Sequence, residues 1–267
     1  AGNQTPVVSA VALNDGSNIT PNINTTRNVK TTGKITDGDG CSDISAVLAR
    51  IYFNGAGSGD QCSADFNTCY VIAGADCSST CQGTTEAWVT CPANLWYHIE
   101  PTNDSGAEEW LGTIFATDSA NATYKASNPS TVEVVGSLAM TVLDASIAYG
   151  SVAVGEHTGT TNQNALIMNI ANTSIDAMIS GTAMTSAAAA ATIVVGKQKW
   201  NVGAFDYATA GTVLTTTNTD AVINCPKPTS HEPSNSSDTI MWGLGIDLGT
   251  GMGTDFGGKN TLTFTND

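Results

Sequence analysis

Short apolar segments recur about every ten residues, each broken by Gly, Asn, Asp or Pro, and this spacing predicts an all-β chain of short antiparallel strands. The first is Val7-Val8-Ser9-Ala10-Val11-Ala12-Leu13, with Val7, Val11 and Leu13 expected on one face, stopped by Asn14-Asp15-Gly16. Residues 29–35 form a second, followed by the turn Asp37-Gly38-Asp39-Gly40. Residues 44–53 alternate, with Ile44, Ala46, Leu48 and Arg50 on one side and Val47, Ile51 and Phe53 off it. Residues 54–85 are poor in apolar side chains and rich in Gly, Ser, Asp and Cys, so a loop region stapled by disulfides is expected there. Strand patterns resume at Trp88 and Leu95, and residues 110–117 and 131–135 close the first set.

A second set follows Gly136-Ser137, at residues 138–143, 146–152, 165–170, 177–180, 192–195, 199–202, 212–216, 221–225, 239–248 and 261–265. Residues 187–191 read as a helical turn or an extended edge, and Pro226, Pro228 and Pro233 mark a long loop. Two sets of strands in 267 residues predict two antiparallel β-sandwich, Ig-like domains in tandem, residues 1–136 and 137–267.

Composition sharpens this. Charged residues make up only 12% of the chain, about half the usual share, so the polar surface comes from Thr, Ser, Asn and Gly, which suit strands and turns. The net charge of −15 repels a phosphate backbone or an anionic membrane, and nucleic-acid partners are not expected. No stretch is long and apolar enough to suggest a membrane span. Six of the seven cysteines, Cys41, Cys62, Cys69, Cys77, Cys81 and Cys91, cluster without a CxxC pair and with little histidine nearby. That pattern predicts three disulfides, in an extracellular or cell-surface protein, with Cys62–Cys69 as a local pair and Cys225 either buried and free or bonded across subunits. The opening Ala1-Gly2-Asn3 suits a mature chain after removal of an export signal.

Some segments carry a resemblance. Pro6-Val7-Val8, Ile35-Thr36-Asp37-Gly38-Asp39-Gly40-Cys41-Ser42-Asp43-Ile44 and Ala116-Thr117-Asp118-Ser119-Ala120 resemble bacterial and archaeal Ig-like surface domains. The form bearing Gly40-Cys41-Ser42-Asp43-Ile44 and Cys69-Tyr70 looks like exported proteins inferred from genomes of uncultured microbes. Ser146-Ile147-Ala148-Tyr149-Gly150, Asn169-Ile170-Ala171-Asn172-Thr173, Met241 to Ile246 and Gly257 to Phe264 look like a domain common in secreted surface proteins. The chain is similar in this respect to β-sandwich filament subunits, of the biofilm-fibre and archaeal bundling-pilus types. The resemblance implies an extracellular polymer.

Candidate chemistry is sparse. His98, His157 and His231 fall on an aromatic strand and two loops, without a legible nucleophile, and Glu108-Glu109 is an adjacent pair on a turn, so no enzyme is expected. Asp37, Asp39 and Asp43 offer oxygens at spacings that suit one hard cation, calcium being the expectation, with Asp118 as a further ligand. The same residues also read as an ordinary Asp-Gly turn. Asn3, Asn18, Asn24, Asn103, Asn121, Asn172 and Asn235 begin Asn-x-Ser/Thr sequons, at near the chance frequency, and could carry glycan. Trp88, Trp96, Tyr97 and Trp110 read as core and rim of the first sandwich, or as a sugar platform. The expected function is a structural subunit of an extracellular filament or surface layer, polymerising with copies of itself by strand exchange or edge pairing. Residues 5–13, with Val7, Val8, Val11 and Leu13, are the candidate donated strand, or else the first strand of their own sandwich. The alternative is an adhesin or carbohydrate-binding surface protein, using residues 54–85 and the aromatic side chains.

Overall fold

The computed structural model describes residues 2–57, 59–102, 108–130, 132–144, 146–188, 190–232, 236–251, 253 and 255–266, so Asn103, Thr131, Pro233 and Asn235 lie outside the described residues. The chain divides into two compact units, Ala1–Ser137 with Thr229–His231, and Leu138–Pro228 with Glu232–Asp267. Among the described residues the regular structure is β-strand and short 3-10 turns. No helix there is long and apolar enough to cross a membrane.

The first unit is a sandwich of two four-stranded antiparallel sheets. One runs in the order β1 (Val7–Leu13), β2 (Thr26–Thr36), β6 (Glu86–Trp96), β5 (Ser78–Gln82). The other runs β4 (Cys69–Ile72), β3 (Ile44–Phe53), β7 (Trp110–Asp118), β8 (Thr123–Ser127). β2 and β6 pair without a break from Thr26–Trp96 to Thr36–Glu86. Their inward positions, Val29, Thr31, Gly33 and Ile35 against Ala87, Val89, Cys91 and Leu95, follow the period of two expected of a half-buried sheet. Ala49, Ile51 and Phe53 of β3 and Trp110, Ile114 and Ala116 of β7 complete the core. Each large side chain among them contributes about 1.5–3 kcal/mol by leaving water. The fully buried Trp110 donates its indole N–H to the Glu100 carbonyl at 2.9 Å. Tyr97 is buried and Trp96 half-buried, but Trp88 is 49% exposed, because Ala87 and Val89 take the inward places on either side of it.

Residues 54–85 are more ordered than their composition suggests. They hold β4 and the wholly exposed β5, besides several 3-10 turns. β5 has no apolar anchor of its own; backbone pairing with β6, from Ser78–Thr90 to Gln82–Glu86, holds it in place. Disulfides add to this: Cys41–Cys81 ties β5 itself to the turn before β3, Cys77–Cys91 ties the residue before β5 to β6, and Cys62–Cys69 closes the loop ahead of β4.

The second unit packs two antiparallel sheets. The larger runs β15 (Thr212–Val213), β14 (Gln198–Asn201), β17 (Ser237–Leu244), β10 (Gln163–Asn169), β9 (Met140–Val142). The smaller runs β16 (Thr219–Asp220), β11 (Ile175–Gly181), β18 (Asn260–Asn266). A separate hairpin joins β12 (Met184–Ser186) to β13 (Ala191–Ile193), and Ala187, Ala188 and Ala190 form a turn in it rather than a helix. Ile167, Ile175, Ile179, Trp200, Ile240 and Trp242 form the core. The strand expected over residues 146–152 is absent: Ile147 and Tyr149 dock on the core singly, and the backbone there pairs with no strand. At the turn after β10, buried Asn169 donates from Nδ2 to the carbonyls of Thr173, Cys225 and Pro226 and accepts from the Ala171 N–H, so its place in the sequence reflects a corner. Cys225 is free and buried, which excludes a bond across subunits in this fold.

Candidate functional site

Strand β1 occupies the edge of its own sheet, paired with β2 from Val7–Thr36 to Leu13–Thr31. The inward face is Val8, Val11 and Leu13, whereas Val7 is 48% exposed. This corrects the expected face of Val7, Val11 and Leu13. A register shift between Ser9 and Ala12, with Ala10 at φ 50°, is a bulge that resets the alternation. Three buried side chains tie the strand to its own core, so within the single chain Val7–Leu13 is the edge strand of its own sandwich.

The second unit has an open side. Among the described residues, β9 pairs only with β10 and β18 only with β11, so each leaves one row of backbone groups unpaired by a described strand. Between these edges runs an apolar groove of about 370 Å³, floored by Ala165 and Trp242 and walled by Met140, Val142, Leu262 and Phe264. Two polar atoms on its lining are buried without a hydrogen-bond partner, Trp242 Nε1 and Asn260 Oδ1. One is a donor and the other an acceptor, the complement of a peptide group. Asp144 and Lys259 give the groove one charge of each sign.

The first unit has a larger cleft of about 690 Å³, lined by Phe66, Tyr70, Asp76, Asn28, Asn94 and Trp96 among others. Phe66, 51% exposed, packs edge-on against Tyr70 at 5.9 Å. Tyr70 is fixed by donating its hydroxyl to the Phe66 carbonyl at 2.6 Å and accepting from the Trp96 N–H at 3.0 Å; burial pushes its phenol up from the usual range. Asn28 donates to Asn94 across the strands at 3.0 Å. The cleft joins aromatic faces to amide and carboxylate groups.

Asp37, Asp39 and Asp43 converge, each offering a carboxylate oxygen within 4.8 Å of the others. Asp118 does not join them. Its carboxylate accepts from Asn3 Nδ2 at 2.8 Å and from the Ala122 N–H at 2.8 Å, and the Asn3 hydrogen bond above all holds its carboxyl below the usual range. The adjacent Ser119 hydroxyl donates to Asp43 instead.

The histidines are held by aromatic rings. His157 accepts the Gly159 N–H at Nδ1 and stacks on Tyr207, His98 is buried against Trp96 and Tyr97, and the His231 ring lies 4.9 Å from Trp96. Of the sequon asparagines, Asn3, Asn18, Asn24 and Asn121 are exposed. Asn24 and Asn121 sit at φ 55° and 66°, left-handed turn positions that favour Asn whatever it carries. Asn172 is buried at 0% exposure, so the folded chain has no room for a glycan there, a correction to the sequence expectation.

The groove was hidden in the sequence, because it combines residues far apart along the chain; the cleft draws on residues 54–85 and Trp96, named in the alternative reading, together with Asn28 and Asn94, which were not. The Asp-Gly turn was the one signal of a metal site that spacing could carry.

No protein-family model matches the sequence, and no curated protein matches it. Among solved structures, the chain is similar to the secreted serine protease VesC from Vibrio cholerae, at 11% identity and a TM-score of 0.21, over 94% of this chain and 48% of that one; it spans about half the protease's length. It is also similar to a protein from a study of promiscuous carbohydrate-binding modules of the β-sandwich superfamily, at 11% identity and a TM-score of 0.27, over 99% of this chain and 97% of that one. Both superpositions are too loose to bear on function.

Proposed function

We propose that this chain is a non-catalytic structural subunit of an extracellular filament or surface layer, joined to its copies by pairing at the open side of the second sandwich. The observation that carries the reading is the apolar groove between β9 and β18. A strand laid along either edge would satisfy its free backbone groups and bury Phe264 and Leu262. The buried Trp242 N–H and Asn260 carbonyl would gain partners from the same incoming backbone. Three disulfides support an oxidising, extracellular setting.

Negative-stain microscopy of the chain at high concentration tests this. Polymers are expected from the native chain and none from Phe264→Lys, whose charge would face the groove. Discrete monomers from the native chain overturn the reading, and undiminished polymers from the variant overturn the role of the groove.

A second reading, carbohydrate binding, is favoured by the first-unit cleft, where Phe66 and Trp96 lie beside Asn28, Asn94 and Asp76. Selective binding on a glycan array, lost in Phe66→Ala, is its expected result; no selective binding rules it out.

A further inference from the structure

We propose that Asp37, Asp39 and Asp43 form a calcium site in the first sandwich, prebuilt by the Cys41–Cys81 disulfide. Their oxygens come within 4.8 Å of one another, where like charges repel. Acidic turns occur without metals, but this one leaves an unmet demand in the interior. Asp37 is 0% exposed, and while its Oδ1 accepts the Asp39 N–H at 2.9 Å, its Oδ2 is buried with no hydrogen-bond partner. Asp43 repeats the arrangement: Oδ1 accepts from the Ser119 hydroxyl, and Oδ2 is buried without a donor. A buried, unpaired carboxylate oxygen is costly unless a cation meets it. No lysine or arginine forms an ion pair with these three among the described residues. The missing partner is therefore a small hard cation. An all-oxygen donor set without nitrogen or sulfur selects calcium over zinc or copper.

The local chain is built to hold that geometry without the ion. The Asp37 N–H donates to Thr85 O at 2.8 Å and Cys41 N–H to Thr84 O at 2.7 Å, and Cys41 opens the 3-10 turn that carries Asp43. Gly40, at φ 122°, makes the reversal between Asp39 and Cys41. The Cys41–Cys81 bond then anchors the turn to β5. The site also reaches the N-terminal segment, since the Gln4 N–H donates to Asp39 Oδ2 at 2.6 Å. Calcium would offset two of the three carboxylate charges while leaving that hydrogen bond in place.

Equilibrium dialysis and melting of the full chain, stripped with chelator and returned to calcium or to magnesium alone, test the site apart from any assembly. A single bound calcium with a dissociation constant on the order of 10⁻⁴–10⁻³ M, as in extracellular modules, and a higher melting temperature are expected. Asp37→Asn and Asp43→Asn should lose both, and Asp15→Asn neither. Should the buried variants fold poorly, the exposed Asp39→Asn, checked by circular dichroism, decides. No calcium uptake at millimolar concentration, or uptake undiminished in Asp39→Asn, overturns the proposal.

Discussion

Gly33 and Ile114 face each other across the first sandwich: a β-carbon on Gly33 would lie 2.7 Å from Ile114 Cδ1. The glycine is there because the isoleucine needs its place, and one turn of the pleat away Gly112 and Thr31 repeat the exchange in reverse, at 2.8 Å. Gly33→Ala should therefore destabilise the chain by about 1–3 kcal/mol through overpacking. Removing the opposing methyl with Ile114→Val should recover part of that loss. Urea unfolding of both single variants and the double variant gives the coupling directly; additive effects would show that the two sites do not share space.

The disulfides should differ in what they contribute. In the chain-entropy picture the closed loop sets the size of the effect, and the separations are 40, 14 and 7 residues for Cys41–Cys81, Cys77–Cys91 and Cys62–Cys69. Replacing each pair by serines should cost about 4, 3 and 2.4 kcal/mol in that order. Denaturant midpoints of the three variants check the ranking, and the reverse order would show that local packing outweighs loop closure.

Cys225 should be inert in the folded chain. It is fully buried, and burial pushes its thiol up to about 11, so the reactive thiolate is scarce at neutral pH. A thiol reagent should modify no cysteine in native protein and one after unfolding in denaturant without reductant. Rapid labelling of native protein would contradict the burial.

Acid should loosen the loop closed by Cys62–Cys69. Burial raises the carboxyl of Asp65, but hydrogen bonds from the Thr68 hydroxyl and from the N–H groups of Asn67, Thr68 and Cys69 outweigh it and hold the group below its usual range. A depressed carboxylate stabilises the fold fully above its unfolded value of about 3.9, and that contribution is lost as pH falls through the lower folded value. Asp65→Asn should therefore reduce stability at pH 7 and narrow its difference from the native chain below about pH 4. Melting curves across that range test this; a constant difference would remove Asp65 as the cause.

Much of the first sandwich was legible because its long strands keep strict alternation. Val29, Ile35, Val89 and Leu95 point inward where period two puts them. The bulge at Ala10 was not legible, since nothing in Val7 to Leu13 marks the residue where the phase slips. β5 was invisible for another reason: Ser78–Gln82 buries nothing, and only a neighbour's backbone makes it a strand. The expected strand over residues 146–152 failed in the opposite way, with apolar residues that dock singly and find no backbone partner. In the candidate calcium site, spacing alone brought Asp37, Asp39 and Asp43 together, but Asp118, expected as a further ligand from a neighbouring strand end, has its oxygens taken by Asn3 and the Ala122 N–H.

By itself the sequence determined the all-β class and the clustering of the cysteines, because strand period, turn residues and composition are local properties. Cys62–Cys69, seven residues apart, was legible as a local pair; only the tertiary structure decided the other two pairings, which edges stayed open and which carboxylate oxygens were left buried without a donor. Those outcomes depend on residues far apart in the chain, such as Met140 and Phe264 beside one groove or Asp43 and Ser119 in one hydrogen bond. Nothing in the spacing of a one-dimensional pattern encodes such meetings; they follow from how the sheets stack.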